Sequence, residues 1–282
     1  MAAKNPLVAP VLKWAGGKRQ LLDSILPLIP PFSTYYEPFV GGGALLFCLQ
    51  PKKVVINDSN CELMNVYQVI RDTPEVLIKN LLEHQEKNCE AYFYHIRSMD
   101  RDKDLFDSLS NVERAARMIY LNKTCYNGLF RVNSSGEFNA PFGRYKNPGI
   151  INEATIMAMS GYFNNSKTRM LCGDYKDAIK GVRKDAFVYF DPPYMPVSAS
   201  SSFTGYTSGG FHKEEQIALK KQCDRLNQRG IRFLLSNSCC SFIEDLYKDY
   251  KIQRVSAKRA INADADKRGA IQEVLIRNYE IN

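Results

Sequence analysis

The apolar residues of this chain follow two rhythms, and the rhythm changes twice. After Gly16-Gly17, Leu21, Leu22, Ile25 and Leu26 recur as on one face of a helix. "TYYEPFVGGGALLFCL" reads as a strand, a glycine turn and a helix, and "KKVVINDSN" as a strand ending at Asn57-Asp58. From Glu62 to Asn122 the helical period takes over, with Val66, Val69, Ile70, Leu77 and Leu81, then Ala115, Ala116, Ile119 and Tyr120, predicting several helices and no strand. Next comes "YNGLFRVNSSGEFNAPFGRYKNPG", where Asn127-Gly128 and Ser135-Gly136 mark turns between aromatic-alternating segments, a loop-rich, hairpin-like region. Short apolar runs then return at 169–172, 186–190, 232–236, 251–255 and 273–278, with a helix expected over about 213–228. Two alternating parts flanking a helical block predict an α/β sheet domain, residues 1–61 and 152–282, interrupted by an insertion over 62–151.

Composition narrows the class. The chain has 282 residues, 45% hydrophobic, enough to bury a substantial core. Met1 to Pro10 lacks a charged-then-apolar leader pattern, and no apolar run nears the roughly 18 residues that cross a bilayer. A cytoplasmic protein with no membrane partner, monomeric, is expected. The eight cysteines form no C-x-x-C pair and only three histidines occur, which argues against a metal site and against disulfides. Reduced, mostly buried thiols are expected. The net charge of +8 is unevenly placed: Cys61–Glu113 carries six Lys/Arg against eleven Asp/Glu, and Arg114–Ile151 six against one. A basic block beside an acidic one fits either a face that meets polyanions or an ordinary solvated surface.

Two segments carry candidate chemistry. In "EPFVGGGAL" the glycines follow a strand and open a helix, as at the first crevice of a doubly wound sheet. Leu46 stands where a dinucleotide fingerprint has its third glycine, so pyrophosphate binding is not indicated. Asp58, ending the next strand, could accept hydrogen bonds from ribose hydroxyls; a plain tight turn and a surface aspartate remain the alternative. In "VYFDPPYMP" an apolar strand stops at Asp191, Pro192, Pro193 and Tyr194. Proline cannot continue a central strand and restricts its predecessor to extended geometry. An acid, a fixed carbonyl and a flat ring are thereby held at one strand end. Two acceptors and a ring suit a planar exocyclic amine, whose conjugated lone pair makes it a poor nucleophile until both N–H groups are engaged.

With these motifs in order, the chain resembles the amino-group DNA methyltransferases, specifically the Dam-type DNA adenine-N6 methyltransferases of the alpha group. The resemblance rests on "KWAGGK" (13–18), "EPFVGGGAL" (37–45), "INDSN" (56–60), "YNGLFRVNSSGEFNAPFGRYKNP" (126–148), "GDY" (173–175), "DPPY" (191–194) and "SFTGYTSGGF" (202–211), spanning nearly the whole chain. It implies a Rossmann-like methyltransferase sheet with an inserted helical and hairpin target recognition domain. It also implies S-adenosyl-L-methionine as methyl donor, held by Trp14, Lys18, Glu37, Phe39, Gly41, Gly43, Asp58, Asp174, Tyr175 and Asp191. Double-stranded DNA is the implied partner, with the target adenine, in GATC, flipped out of the helix. Lys13, Tyr126, Asn127, Leu129, Arg131, Pro141, Arg144 and Tyr145 are the implied DNA contacts, Arg131 reading a guanine and Tyr126 intercalating. Arg114, Arg117, Lys123, Arg131, Arg144 and Lys146 would supply the cations of that face, and residues 197–211 a lid anchored by Phe203, Tyr206 and Phe211. Four alternatives stay open at this point: transfer to cytosine N4, to RNA adenine or to a protein glutamine amide, and a non-catalytic DNA-binding relative.

Overall fold

A computed structural model of the chain describes residues 4–14, 16–196, 211–258 and 270–281. Seven strands form one sheet: β1 Thr34–Glu37, β2 Lys53–Asp58, β3 Lys167–Cys172, β4 Ala186–Phe190, β5 Arg232–Ser238, β6 Lys251–Lys258 and β7 Ala270–Arg277. Their spatial order is β3-β2-β1-β4-β5-β7-β6. The first five run parallel, and β7 is antiparallel to both β5 and β6. The helices are α1 Leu22–Ile25, α2 Ala44–Leu49, α3 Cys61–Asp72, α4 Pro74–Glu86, α5 Glu90–Ser98, α6 Lys103–Ser108, α7 Asn111–Thr124, α8 Glu153–Asn165, α9 Tyr175–Ala178, α10 Lys213–Gln228 and α11 Ser241–Leu246. Each expected strand is present, β3, β5, β6 and β7 starting or ending two or three residues away from the expected bounds. The stretch 62–122 is helical throughout its ordered elements, as its period predicts.

The strands alternate between two cores, as a pleated chain must. Phe187 and Tyr189 of β4 face one side with Tyr35 and Leu234; Val188 and Phe190 face the other with Phe233 and Leu235. β4 lies between β1 and β5 and is buried along its whole length. The first core continues without a break through α3 into α4, α5 and α7, taking in Leu77, Leu81, Phe93 and Tyr120. The second is closed by α9, α10 and α11.

Helix caps account for several element bounds. Asn60 caps α3 through Leu63 N, and Ser110 with Glu113 forms a reciprocal box that starts α7. The region after α7 is an irregular hairpin rather than a regular ladder. Only the bridges Cys125↔Phe142 and Val132↔Phe138 form, and Asn127 and Gly128 both take positive φ at its base. Among the described residues no helix is long and apolar enough to cross a membrane.

The cysteine expectation needs correction. Cys61 and Cys172 form a disulfide, their Cα atoms 5.4 Å apart. The parallel pairing of β2 with β3 sets Asp58 opposite Cys172, so the first turn of α3 comes within bonding reach of a residue 111 positions away. Spacing along the chain gives no hint of this. Of the six free cysteines only Cys125 and Cys223 are buried, and Cys89 is exposed.

Candidate active site

Because β1 to β5 are parallel, the segments that follow them leave one edge of the sheet, and strand order reverses between β1 and β4 at that edge. The topology therefore gathers motifs that are far apart in sequence. The glycine turn follows β1, Asp58 ends β2, Asp174 and Tyr175 follow β3, and Asp191 to Tyr194 follow β4.

At the centre, Asp191 Oδ1 lies 3.0 Å from Lys18 Nζ and accepts a hydrogen bond from Ser236 Oγ at 2.9 Å. Lys18, nearly fully buried, also donates to the Gly16 carbonyl at 2.6 Å and sits 4.4 Å from the centroid of the Tyr194 ring. Burial pushes the Asp191 carboxyl above its ordinary value, while Lys18 and Ser236 pull against that rise. The Tyr194 hydroxyl donates to Glu273 of β7, and burial with Asp191 and Glu273 nearby keeps this phenol neutral. Glu37 is buried, accepts from Tyr35 Oη at 2.9 Å, and is also raised well above the carboxylate range, burial being the main cause. Asp191 is thus the carboxyl in contact with the Lys18 ammonium, and Glu37 and Glu273 lie close enough to Asp191 for like charges to disfavour one another.

The neighbouring crevice is built on the glycine turn. Gly41 and Gly43 take φ of +47° and +70°. A Cβ on Gly41 would stand 2.9 Å from the Trp14 ring, and one on Gly43 2.6 Å from Phe47, so neither position tolerates a side chain. Trp14, half-buried, lies over this turn and stacks on Phe130 of the hairpin at 5.0 Å. Asp58 accepts from Gly41 N at 3.0 Å and from Asn60 N at 2.9 Å; burial still raises its carboxyl. Phe39 stacks on Tyr175 at 5.0 Å and meets Phe211 edge-on. Tyr175 is buried with a hydroxyl that has no partner among the described residues, and Asp174 caps α9 through Lys176 N. Phe203 and Tyr206 lie outside the described residues.

These features define a crevice at one edge of the sheet, and comparison with known proteins fixes its class. Residues 14–261 match the family model of D12 class N6 adenine-specific DNA methyltransferase. The chain belongs to that family. It is 46% identical over 278 residues to the type II methyltransferase M1.LlaDCHI of Lactococcus lactis subsp. cremoris, covering 98% of each chain. It is 44% identical to the type II methyltransferase M.MjaIII of Methanocaldococcus jannaschii, covering 96% of this chain and 99% of the other. Identity to the DNA adenine methylase of Escherichia coli K12 is 33%, over 94% and 93%. The protein is an adenine-specific DNA methyltransferase. Its Dam-like character is a likeness within that family, weaker than its likeness to the type II enzymes.

The methyltransferase hairpin holds the expected DNA contacts together at one junction. Asn122 ties the lead-in to the hairpin, accepting from Lys13 N at 2.9 Å and donating to the carbonyls of Lys13 and Gly128. Tyr126, Asn127, Pro141, Arg144 and Tyr145 are exposed, Tyr126 most of all among these rings at 59%. Leu129 is partly covered. Arg131 donates from Nε to Asn139 Oδ1 at 2.7 Å, an orientation fixed before any base arrives. Two expected cations are not on this face. Arg114 pairs with Glu62 of α3, and Arg117, buried, pairs with Asp100 at 2.8 Å and donates to the carbonyls of Ile96 and Arg97. Both tie α7 to neighbouring helical elements; their helical spacing from the buried Ala115 and Ile119 carried no sign of which arginine would turn inward.

Several site residues escaped the sequence reading. Ser236, Asn237 and Ser238 end β5 with three buried polar side chains, and "SNS" after "FLL" was the available signal. Gln216 occupies the apolar face of α10 with Leu219, Cys223 and Leu226, and that misplacement of a carboxamide was another. Asn57, also buried, joins the carbonyls of Pro38 and Gly173 and so couples the β1 and β3 ends. Glu273 carried no signal, because only the β5–β7 pairing brings it to Tyr194.

Proposed function

We propose that this methyltransferase moves a methyl group from S-adenosyl-L-methionine to N6 of an adenine flipped out of duplex DNA, within GATC, and that Asp191, Pro192, Pro193 and Tyr194 form the receiving site. The observation that carries the reading is the placement of Asp191. It ends the central strand, partly exposed, with Oδ1 engaged by Lys18 and Ser236 and no partner on Oδ2 among the described residues. An exocyclic amine can therefore donate to Oδ2 and to the Pro192 carbonyl without displacing either existing contact. Two such bonds draw the nitrogen toward tetrahedral geometry and free its lone pair, and the carboxylate stabilises the positive charge that appears on nitrogen until one of its protons leaves. Tyr194, fixed through its hydroxyl, offers its ring for stacking at about 1–3 kcal/mol.

The donor fits the adjacent crevice. A turn that only glycine can occupy permits close backbone approach, Asp58 suits a ribose diol, and the Asp191 carboxylate suits a neighbouring sulfonium. Bound there, the donor supplies an electrophilic methyl group. Trp14, Glu37, Phe39, Gly41, Gly43, Asp174 and Tyr175 complete its expected walls. Residues 62–151 are the target recognition part, with Lys13, Tyr126, Asn127, Leu129, Arg131, Pro141, Arg144 and Tyr145 on the DNA. GATC is supported by the resemblance of the hairpin segment 126–148, and a modification role by the likeness to proteins named type II methyltransferases. DNA from cells expressing the protein, digested with nucleases that differ in sensitivity to methylated GATC, tests the assignment. Protection confined to other sites overturns the target. Asp191→Ala should abolish protection while the protein remains folded.

A further inference from the structure

The Asp191–Tyr194 turn cannot hold itself in place. Pro192 and Pro193 have no N–H, so two of the donors that would tie a turn to its own backbone are missing. Its position must be set from outside. Resting on the reading of this turn as the amine site, we propose that Gln216 and Asn237 are positioning residues, a carboxamide relay that fixes the turn so that the Pro192 carbonyl and the Asp191 carboxylate converge on one amine.

Both side chains are completely buried. Gln216 Nε2 donates to the Pro193 carbonyl at 3.0 Å, and its Oε1 accepts from Asn237 Nδ2 at 3.0 Å. Asn237 Oδ1 accepts in turn from Met195 N at 3.1 Å and from Ser238 N at 2.9 Å. The relay has one sense. Turning either amide over would set oxygen against oxygen or N–H against N–H at both of its ends. Ser238 Oγ closes the set by donating to the Met195 carbonyl at 2.7 Å. Three backbone groups just beyond Pro192 are thereby pinned by α10 and β5, while the Pro192 carbonyl takes no donor from the described residues. Neither Gln216 nor Asn237 lies in the amine's own contact set, so each acts through the turn.

The test is the single-turnover rate of methyl transfer from preformed enzyme–donor–DNA complexes, with donor and DNA affinities measured separately. Gln216→Leu removes the donor to Pro193 and the acceptor for Asn237. Transfer should slow by about 10²-fold, the scale of an ångström-level misplacement, with both affinities unchanged. Gln216→Glu keeps the shape, and only its protonated form can donate to Pro193 while accepting from Asn237. Its rate relative to wild type should therefore be near unity at low pH and fall toward that of Gln216→Leu as pH rises. This pH-dependent ratio is a response that a merely structural role would not give, and it remains readable if the leucine variant does not fold. A folded Gln216→Leu that transfers at the wild-type rate overturns the relay, and so does a Gln216→Glu ratio that is flat with pH. Wild-type transfer to adenine N6 in the same assay reports on the amine site independently, so failure of that reading shows in the wild type and failure of the relay shows in the ratio.

Discussion

At the scale of single residues the site is governed by carboxyl groups that burial holds above their usual range. Among the described residues Asp191 has one cation in contact, Lys18 at 3.0 Å. The acceptor role proposed for it needs the ionised form, and Lys18 opposes the rise that burial imposes. Lys18→Met should therefore raise the Asp191 carboxyl further and move the acid limb of the single-turnover rate to higher pH. A limb that stays where it was would separate the two residues functionally. Glu37 gives a stability counterpart. Its folded value lies well above the unfolded one, so its contribution is fully present below the unfolded value near 4 and is lost as pH rises through the folded value. Glu37→Gln, neutral at every pH and still able to accept from Tyr35, should melt higher than wild type at neutral pH. The gap should close toward pH 4, as thermal unfolding across that range will show.

How much of this was legible follows from which residues carry their own signal. Asp191, Pro192 and Tyr194 declare themselves because no ordinary strand end has that run, and the glycine turn because Gly41 and Gly43 must take positive φ. Lys18 was visible as a candidate but not its contact with Asp191, since that depends on how the lead-in crosses the sheet edge. Ser236, Asn237 and Gln216 show in the sequence only as polar residues in apolar settings, and Glu273 not at all, because their roles exist only between elements.

At the scale of elements the period of apolar residues was a sound guide to helix and strand, because each face packs on one of two cores. It was silent on covalent and ionic links between elements, such as the Cys61–Cys172 bond and the Arg114–Glu62 pair. One link makes the helical block sensitive to acid. His84 of α4 stacks on Tyr120 of α7 with ring centroids 4.9 Å apart, and its Nδ1 lies 2.8 Å from Tyr92 Oη of α5. Burial, with Lys87 adding to it, lowers this imidazole to about 4. The folded value is below the unfolded value of about 6.5, so protonation favours unfolding. The contribution of His84 is present above pH 6.5 and is lost as pH falls toward 4, on the order of 3 kcal/mol in all. Hydrogen exchange in α4 and α7 should accelerate over that interval in wild type and much less in His84→Phe. Equal acceleration in both would place the acid sensitivity elsewhere.

At the scale of the whole molecule, the adjoining acidic and basic blocks have a different meaning from the one their net charges suggest. Three of the six cations in Arg114–Ile151 pair with carboxylates of the acidic block: Arg114 with Glu62, Arg117 with Asp100 and Arg144 with Glu90. Much of the contrast thus goes into cross-links within residues 62–144. The pairs differ in burial, and that difference decides what each can do for DNA. Arg117 and Asp100 keep 9% and 12% of their side-chain surface, and Asp100 also accepts from Phe138 N, which anchors the hairpin. Arg144 keeps 77% and its contact with Glu90 is 3.2 Å, a surface pair worth no more than about 1 kcal/mol. A phosphate can replace Glu90 at little cost, whereas nothing can replace Asp100 without opening the fold. Arg144→Ala should therefore reduce the slope of log affinity against log salt by about 1, uniformly across DNA sequences. Arg117→Met should leave that slope intact and lower stability by up to about 3 kcal/mol, less than a fully buried pair because Arg101 still reaches Asp100. DNA binding titrated across a salt series, beside urea unfolding of the same variants, separates the two arginines. A reduced salt slope in a stable Arg117→Met would return that residue to the DNA face.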